Sequence, residues 1–211
     1  MFGKYKNISK FCSMNYLAHA VLSFDNREIL AGNMISDFVK GKRQFDFPEV
    51  IQKGIRLHRA IDSFTDAHPV TKELASFFKP SYRLYSGAFA DIVYDHFLAN
   101  DKTVFETEGA LRNFAAQTYQ SLEKDLVLFP PLFQRIFPYM KSQDWLLHYR
   151  YPEGIEKSFQ GLVRRASYLT ESDTAFGIFN KHYTGIGDCY AEFFPQLKIF
   201  SLAQLKELLN P

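Results

Sequence analysis

An all-α fold, a compact single domain of many helices, is what this sequence predicts, and three observations carry the prediction. Apolar residues recur at three- and four-residue spacing nearly from end to end, with no convincing set of alternating strand-like runs. Breakers punctuate that pattern: Pro48 with Glu49 after Asp46, Pro80 with Ser81, and the pair Pro130 and Pro131. At 211 residues, 46% apolar and 17% aromatic, the chain is long enough for one sizeable buried core. No stretch resembles an interdomain linker, a fixed-period repeat or a low-complexity tail.

Taken in order, the pattern places helices at about 15–22, 27–40, 48–67, 70–79, 82–100, 104–127, 130–140, 153–169, 173–198 and 201–209. Pro69 biases His68 out of the helical region, so the third helix stops near there. The last turns near Pro211 are expected to fray.

Composition excludes several classes. The net charge is +2, with 25 basic and 23 acidic residues well mixed, which argues against a nucleic-acid binder. Two local clusters, Lys40-Gly41-Lys42-Arg43 and Arg164-Arg165, read either as solvated patches or as docking points for an acidic partner. Cys12 and Cys189 are too few for a disulfide scaffold and read as reduced thiols in a cytosolic protein. Lys4, Lys6 and Lys10 imitate a basic leader, but Asn15 and His19 break the apolar run that follows, and no small-residue cleavage site is present. No run approaches the roughly 20 apolar residues that span a bilayer. A soluble, cytoplasmic protein without membrane contact is expected.

The chemistry-bearing residues come in pairs four apart. His58 and Asp62 stack on one face of the third helix and continue an apolar line through Ile51 and Ile55, so they face inward. Asp66 lies about 40° further round the same helix. Asn33 with Asp37 and Asn15 with His19 repeat the spacing, and Asp91 shares a face with Asp95 while His96 points to an adjacent one. Buried polar groups are costly unless partnered by hydrogen bonds or a cation, and one shared polar site is the economical explanation. Local alternatives stay open. His19 also reads as a hydrogen-bonded core histidine, Asp37 as a cap or an arginine partner, and His96 as a buried ring beside Phe97. His68, His148 and His182 read as structural or surface residues.

Several runs of the chain carry a family resemblance. They are Met14-Asn15-Tyr16-Leu17-Ala18-His19, Gly32-Asn33 with Asp37-Phe38, His58-Arg59 with Ile61-Asp62 and Thr65-Asp66, and Asp91 with Asp95-His96-Phe97-Leu98. Trp145-Leu146, Tyr149-Arg150, His182-Tyr183 and Phe193-Phe194-Pro195 extend them. From Met14 to about Pro195 the chain resembles the acyl carrier protein phosphodiesterases, holo-carrier-protein hydrolases related to the metal-dependent HD phosphohydrolases. An adjacent His-Asp pair, the signature of that wider group, is absent.

The resemblance implies an HD-hydrolase-like helical bundle over 14–211, with residues 1–13 as an N-terminal extension and Met14 as a candidate true start. It implies hydrolysis of the phosphodiester joining 4′-phosphopantetheine to a serine of holo-acyl carrier protein, with manganese as the ion. Carried over by position, Asp37, His58, Asp62, Asp95 and His96 are metal-site candidates. Asp66 or Asp91 would orient the attacking water, and His19 would serve as acid, base or outer ligand. Arg59 and Arg150 would neutralise phosphate charge. Two rival readings are a metal-dependent phosphohydrolase of a nucleotide or other small phosphodiester, and a non-catalytic helical protein that binds acyl carrier protein.

Overall fold

A computed structural model describes residues 16–210 of the chain; Asn15, Cys12 and the proposed extension 1–13 lie outside the described residues. Among the described residues there are eleven α-helices and no strand. The all-α expectation is met.

Three helices build the part of the fold that matters for the site. α1 (Tyr16–Val21) is one and a half turns long and almost wholly buried. Phe24 and Asp25 both take left-handed backbone angles, φ 49° and 58°, which reverse the chain. Asn26 then caps α2 (Arg27–Ile35), its side chain accepting from the backbone N–H of Glu28 and Ile29. α3 (Glu49–Ala67) follows Pro48 and lies against α2. Gly32 and Gly54 meet at that crossing: a Cβ on either glycine would lie within 3 Å of the other's Cα. The two backbones therefore run closer than any side chain would permit.

The remaining helices close around this layer. They are α4 (Pro69–Tyr82), α5 (Ser86–Asn100), α6 (Glu108–Lys124), α7 (Pro131–Ser142), α8 (Trp145–His148), α9 (Pro152–Arg165), α10 (Asp173–Lys181) and α11 (Tyr183–Leu209). Fully buried phenylalanines hold them together. Phe78 of α4 stacks on Phe89 of α5 at 5.5 Å, and Phe89 meets Phe159 of α9 edge-on at 5.0 Å.

Several boundaries differ from the sequence expectation. The helix expected over 27–40 stops at Ile35 and gives way to two 3-10 segments, Ser36–Phe38 and Gly41–Asp46, separated by extended Val39. Asp37 is therefore not on the face of α2 that carries Asn33. Pro80 does not end α4, which runs to Tyr82; the break comes at Arg83, with φ 46°. Pro195 likewise sits inside α11, and the break between the last two helices falls at His182 instead of near 199–200. Both prolines are exposed, as are Ser76 and Ala191, whose carbonyls they leave unbonded, so water can take those acceptors. The expectation at His68 holds: it is extended, and α3 ends one residue before it.

Candidate active site

α3 brings His58 and Asp62 together as their spacing requires, with His58 Nε2 3.1 Å from Asp62 Oδ2. The 3-10 turn after α2 delivers Asp37, whose Oδ1 is 3.3 Å from the same nitrogen. α1 supplies His19, stacked on His58 with ring centroids 3.9 Å apart and its Nε2 3.3 Å from Asp62 Oδ1. The two imidazoles are buried, at 3% and 5% exposure, whereas Asp62 at 34% and Asp37 at 24% open the group to solvent.

Asn33 organises this arrangement. It lies in the last turn of α2, where helix carbonyls lose their partners, and its carbonyl accepts from His58 Nδ1 at 2.8 Å. The glycine crossing beside it makes that reach possible. The Asn33 side chain serves the other ring, with Oδ1 2.7 Å from His19 Nδ1. Its Nδ2 donates to the His19 carbonyl at 2.9 Å and to Ser23 Oγ at 3.1 Å, and the carbonyl can only accept, so the amide orientation is fixed. His19 therefore carries its proton on Nδ1. Its Nε2 is buried, has no hydrogen-bond partner, and faces a carboxylate. A lone pair facing an anion leaves room there for a second proton or a cation.

The electrostatics agree with that reading. Burial, then the neighbouring His58, push the His19 pKa below the ordinary imidazole value. Burial also opposes charge on His58, but Asp62 and Asp37 prevail and push it up to about 10. Burial opposes charge on Asp62 too, yet His58 and His19 hold it well below the usual carboxylate range. Ligand atoms of His19, His58 and Asp62 lie within 4.8 Å of one another, and this mixed imidazole and carboxylate set suits a divalent first-row cation.

The structure does not bring every expected residue to this group. Asp95 is fully buried and its oxygens accept from Leu17 N at 3.0 Å and Ala18 N at 2.8 Å, so it anchors the start of α1. Burial pushes its pKa well up, against those two amides. His96 donates from Nδ1 to the Tyr149 carbonyl at 2.8 Å, and its Nε2 accepts from the Tyr183 hydroxyl at 3.0 Å, which leaves neither nitrogen for a metal. Arg59 is turned away to the 3-10 segment, bonding Gln44 Oε1 at 2.7 Å and the Val39 carbonyl at 3.1 Å. Arg150 bonds the Ala99 carbonyl at 3.1 Å and lies 3.9 Å from Glu108. Asp91 is half-buried on α5, one turn before Asp95. Asp66 is exposed one turn beyond Asp62; partial burial, then the Asp62 charge, raise its pKa.

Sequence reasoning noted Asn33 without giving it a role and missed Ser23. The signal for Asn33 was present: an amide inside the run Ile29-Leu30-Ala31-Gly32 and Met34-Ile35 must be bonded to something buried.

Fold and site together define an all-helical protein whose polar centre, two imidazoles and two carboxylates, lies between α1, the end of α2 and the middle of α3. The chain belongs to the acyl carrier protein phosphodiesterase family, whose model matches residues 14–197. Relatives named acyl carrier protein phosphodiesterase include one from Yersinia pestis, 32% identical over 184 residues, covering 87% of this chain and 95% of the relative. Another, from Klebsiella pneumoniae, is 31% identical over 195 residues, covering 92% of this chain and all of the relative. One from Shigella boydii is 30% identical over 184 residues, covering 87% and 95%. No solved structure matches the chain. Among the described residues, no helix is long and apolar enough to cross a membrane.

Proposed function

We propose that this protein hydrolyses the phosphodiester between 4′-phosphopantetheine and the serine of holo-acyl carrier protein, and that it does so with a divalent cation, manganese by preference. The family supports the substrate. One observation supports the cation: the unpartnered His19 Nε2, buried and aimed at Asp62 beside His58. His19, His58 and Asp62 would hold the ion, with Asp37 as a fourth donor. A cation bound there supplies positive charge to a phosphodiester and acidifies a water.

The chain's own residues account for the rest. Asn33 holds both Nδ1 protons, which leaves both Nε2 atoms turned to one point. Asp66, exposed beside Asp62 and with a raised pKa, orients the attacking water and takes its proton. The water oxygen forms a bond to phosphorus, the bond from phosphorus to the serine oxygen breaks, and that oxygen takes a proton from solvent, to which Asp66 returns its own. The products are apo-carrier protein and 4′-phosphopantetheine. Such a substrate and the sparse, unpatterned cysteines make the cytoplasm the compartment of this activity.

The test is conversion of holo- to apo-carrier protein with and without added manganese, alongside metal analysis of the purified protein. His58→Ala or Asp62→Asn should lower turnover on the order of 100-fold or more while helicity is retained. Unchanged turnover in either variant would remove the assigned site. Hydrolysis of small diesters without conversion of any carrier protein would favour the small-substrate reading.

A further inference from the structure

The 3-10 segment Gly41–Asp46 is one of the most exposed parts of the described chain, and it sits beside the candidate site. Asp37, in contact with His58, is five residues from Lys42, so their Cα atoms are at most about 18 Å apart. The segment is fixed to α3 rather than loose. Gln52 Nε2 donates to the Phe47 carbonyl at 2.8 Å, and Arg59 bonds Gln44 and Val39. At about 100° per residue, Gln52, Arg56 and Arg59 lie within about 60° of one another on α3, with Asp62 about 60° further round. The face that holds the segment therefore adjoins the face that opens the site.

That face carries unspent charge. Lys42, Arg43 and Arg56 are exposed. Among the described residues, none of the three has an ion-pair partner within the protein. The exposed acids nearby are Asp46 and Glu49, and Glu49 is taken by Lys53 at 3.6 Å. Phe45, 63% exposed, sits among these cations as an apolar contact point. A lone solvated patch needs neither anchoring to the helix that bears the site nor an exposed aromatic at its centre.

We infer that the turn 41–46 together with Arg56 is a docking surface for the protein that bears the phosphodiester, engaging an acidic stretch of that protein. The inference rests on the carrier-protein reading above. In that substrate the phosphate is attached directly to a side chain of the partner, so the partner's own surface must press against whatever surrounds the site. Cations placed there attract an acidic partner over a Debye length of about 8 Å at physiological salt, and sequence-distant charges cannot replace them.

The test reads binding, not turnover, so it separates this surface from the catalytic reading. Holo-carrier protein bearing a fluorescent label is titrated with chelator-treated protein, and anisotropy gives Kd at low and physiological salt. Lys42→Glu with Arg43→Glu should weaken binding at least tenfold and flatten its salt dependence, with helicity and melting temperature unchanged. Arg56→Glu should act in the same direction. An equal reversal on α11, Lys198→Glu with Lys206→Glu, should bind as the wild type does. The inference is overturned if the wild type does not bind, if the 42/43 reversal leaves Kd and its salt slope intact, or if the α11 reversal weakens binding equally. Turnover by wild type decides the catalytic reading separately.

Discussion

Two helices of this protein carry an aspartate and a histidine that look alike in sequence, His58 with Asp62 on α3 and Asp95 with His96 on α5. Their bonding atoms differ. On α5 both Asp95 oxygens are filled by backbone amides of α1, and both His96 nitrogens by Tyr149 and Tyr183. On α3 and its neighbours one imidazole atom is left over: Asn33 takes the two Nδ1 protons, His58 Nε2 meets Asp37 and Asp62, and His19 Nε2 faces Asp62 without a hydrogen bond. A buried polar group whose atoms are all partnered holds a fold together. One whose unfilled atom converges with others on a shared point is equipped for a ligand.

The comparison breaks most readily at Asp95. Replacing it with alanine leaves two buried amides unbonded, each costing about 1–3 kcal/mol. The urea midpoint should fall accordingly. Metal binding should weaken as a consequence, because α1, freed at its start, no longer fixes His19. An Asp95→Ala protein as stable as the wild type would show that α1 is held by something else.

A pH series sharpens the same contrast, since the two histidines push stability in opposite directions. His58 in the metal-free fold is raised from 6.5 to about 10, because burial is outweighed by Asp62 and Asp37. A raised group stabilises fully below pH 6.5, and its contribution is lost as pH climbs from there toward 10. His96 is lowered by burial, against its bond to Tyr149. Its contribution is present above 6.5 and lost as pH falls below it. Melting temperatures of chelator-stripped protein should therefore fall on both sides. Asp62→Asn should flatten the alkaline limb, and His96→Phe should weaken the acid limb, to which the lowered His19 also contributes. An alkaline limb that persists in Asp62→Asn would refute the assignment. The smallest effect is expected from deleting residues 1–13, which precede the family match beginning at residue 14. Stability and turnover should be unchanged, and a large loss of either would make that segment part of the working protein.

Much of this was legible in the chain. The α3 pair could be read because both residues share one helix and continue its apolar stripe, so helical periodicity alone sets their geometry. Asp37 was legible as a donor but not its setting, because the shift from α-helix to 3-10 turn after Ile35 depends on how the chain leaves the glycine crossing with α3. Asp95 misled for a physical reason: a carboxylate that anchors a distant helix start and one that binds a cation have the same local sequence. Only the tertiary approach of Leu17 and Ala18 tells them apart. Arg59 and Arg150 misled similarly, since guanidinium groups spent on backbone carbonyls resemble those kept for phosphate. Asn33 was hidden in plain view, because its two acceptors serve rings from two other helices.

Direct uptake of manganese tests the contrast between the helices most plainly. Chelator-stripped protein is titrated with Mn²⁺, and the free ion is followed by its electron paramagnetic resonance signal. The wild type should remove Mn²⁺ from solution, His19→Ala and Asp62→Asn should bind it at least tenfold more weakly, and folded His96→Phe should bind as the wild type does. No uptake by the wild type, undiminished uptake by Asp62→Asn, or loss of uptake in folded His96→Phe would contradict the assignment of the cation to His19, His58 and Asp62.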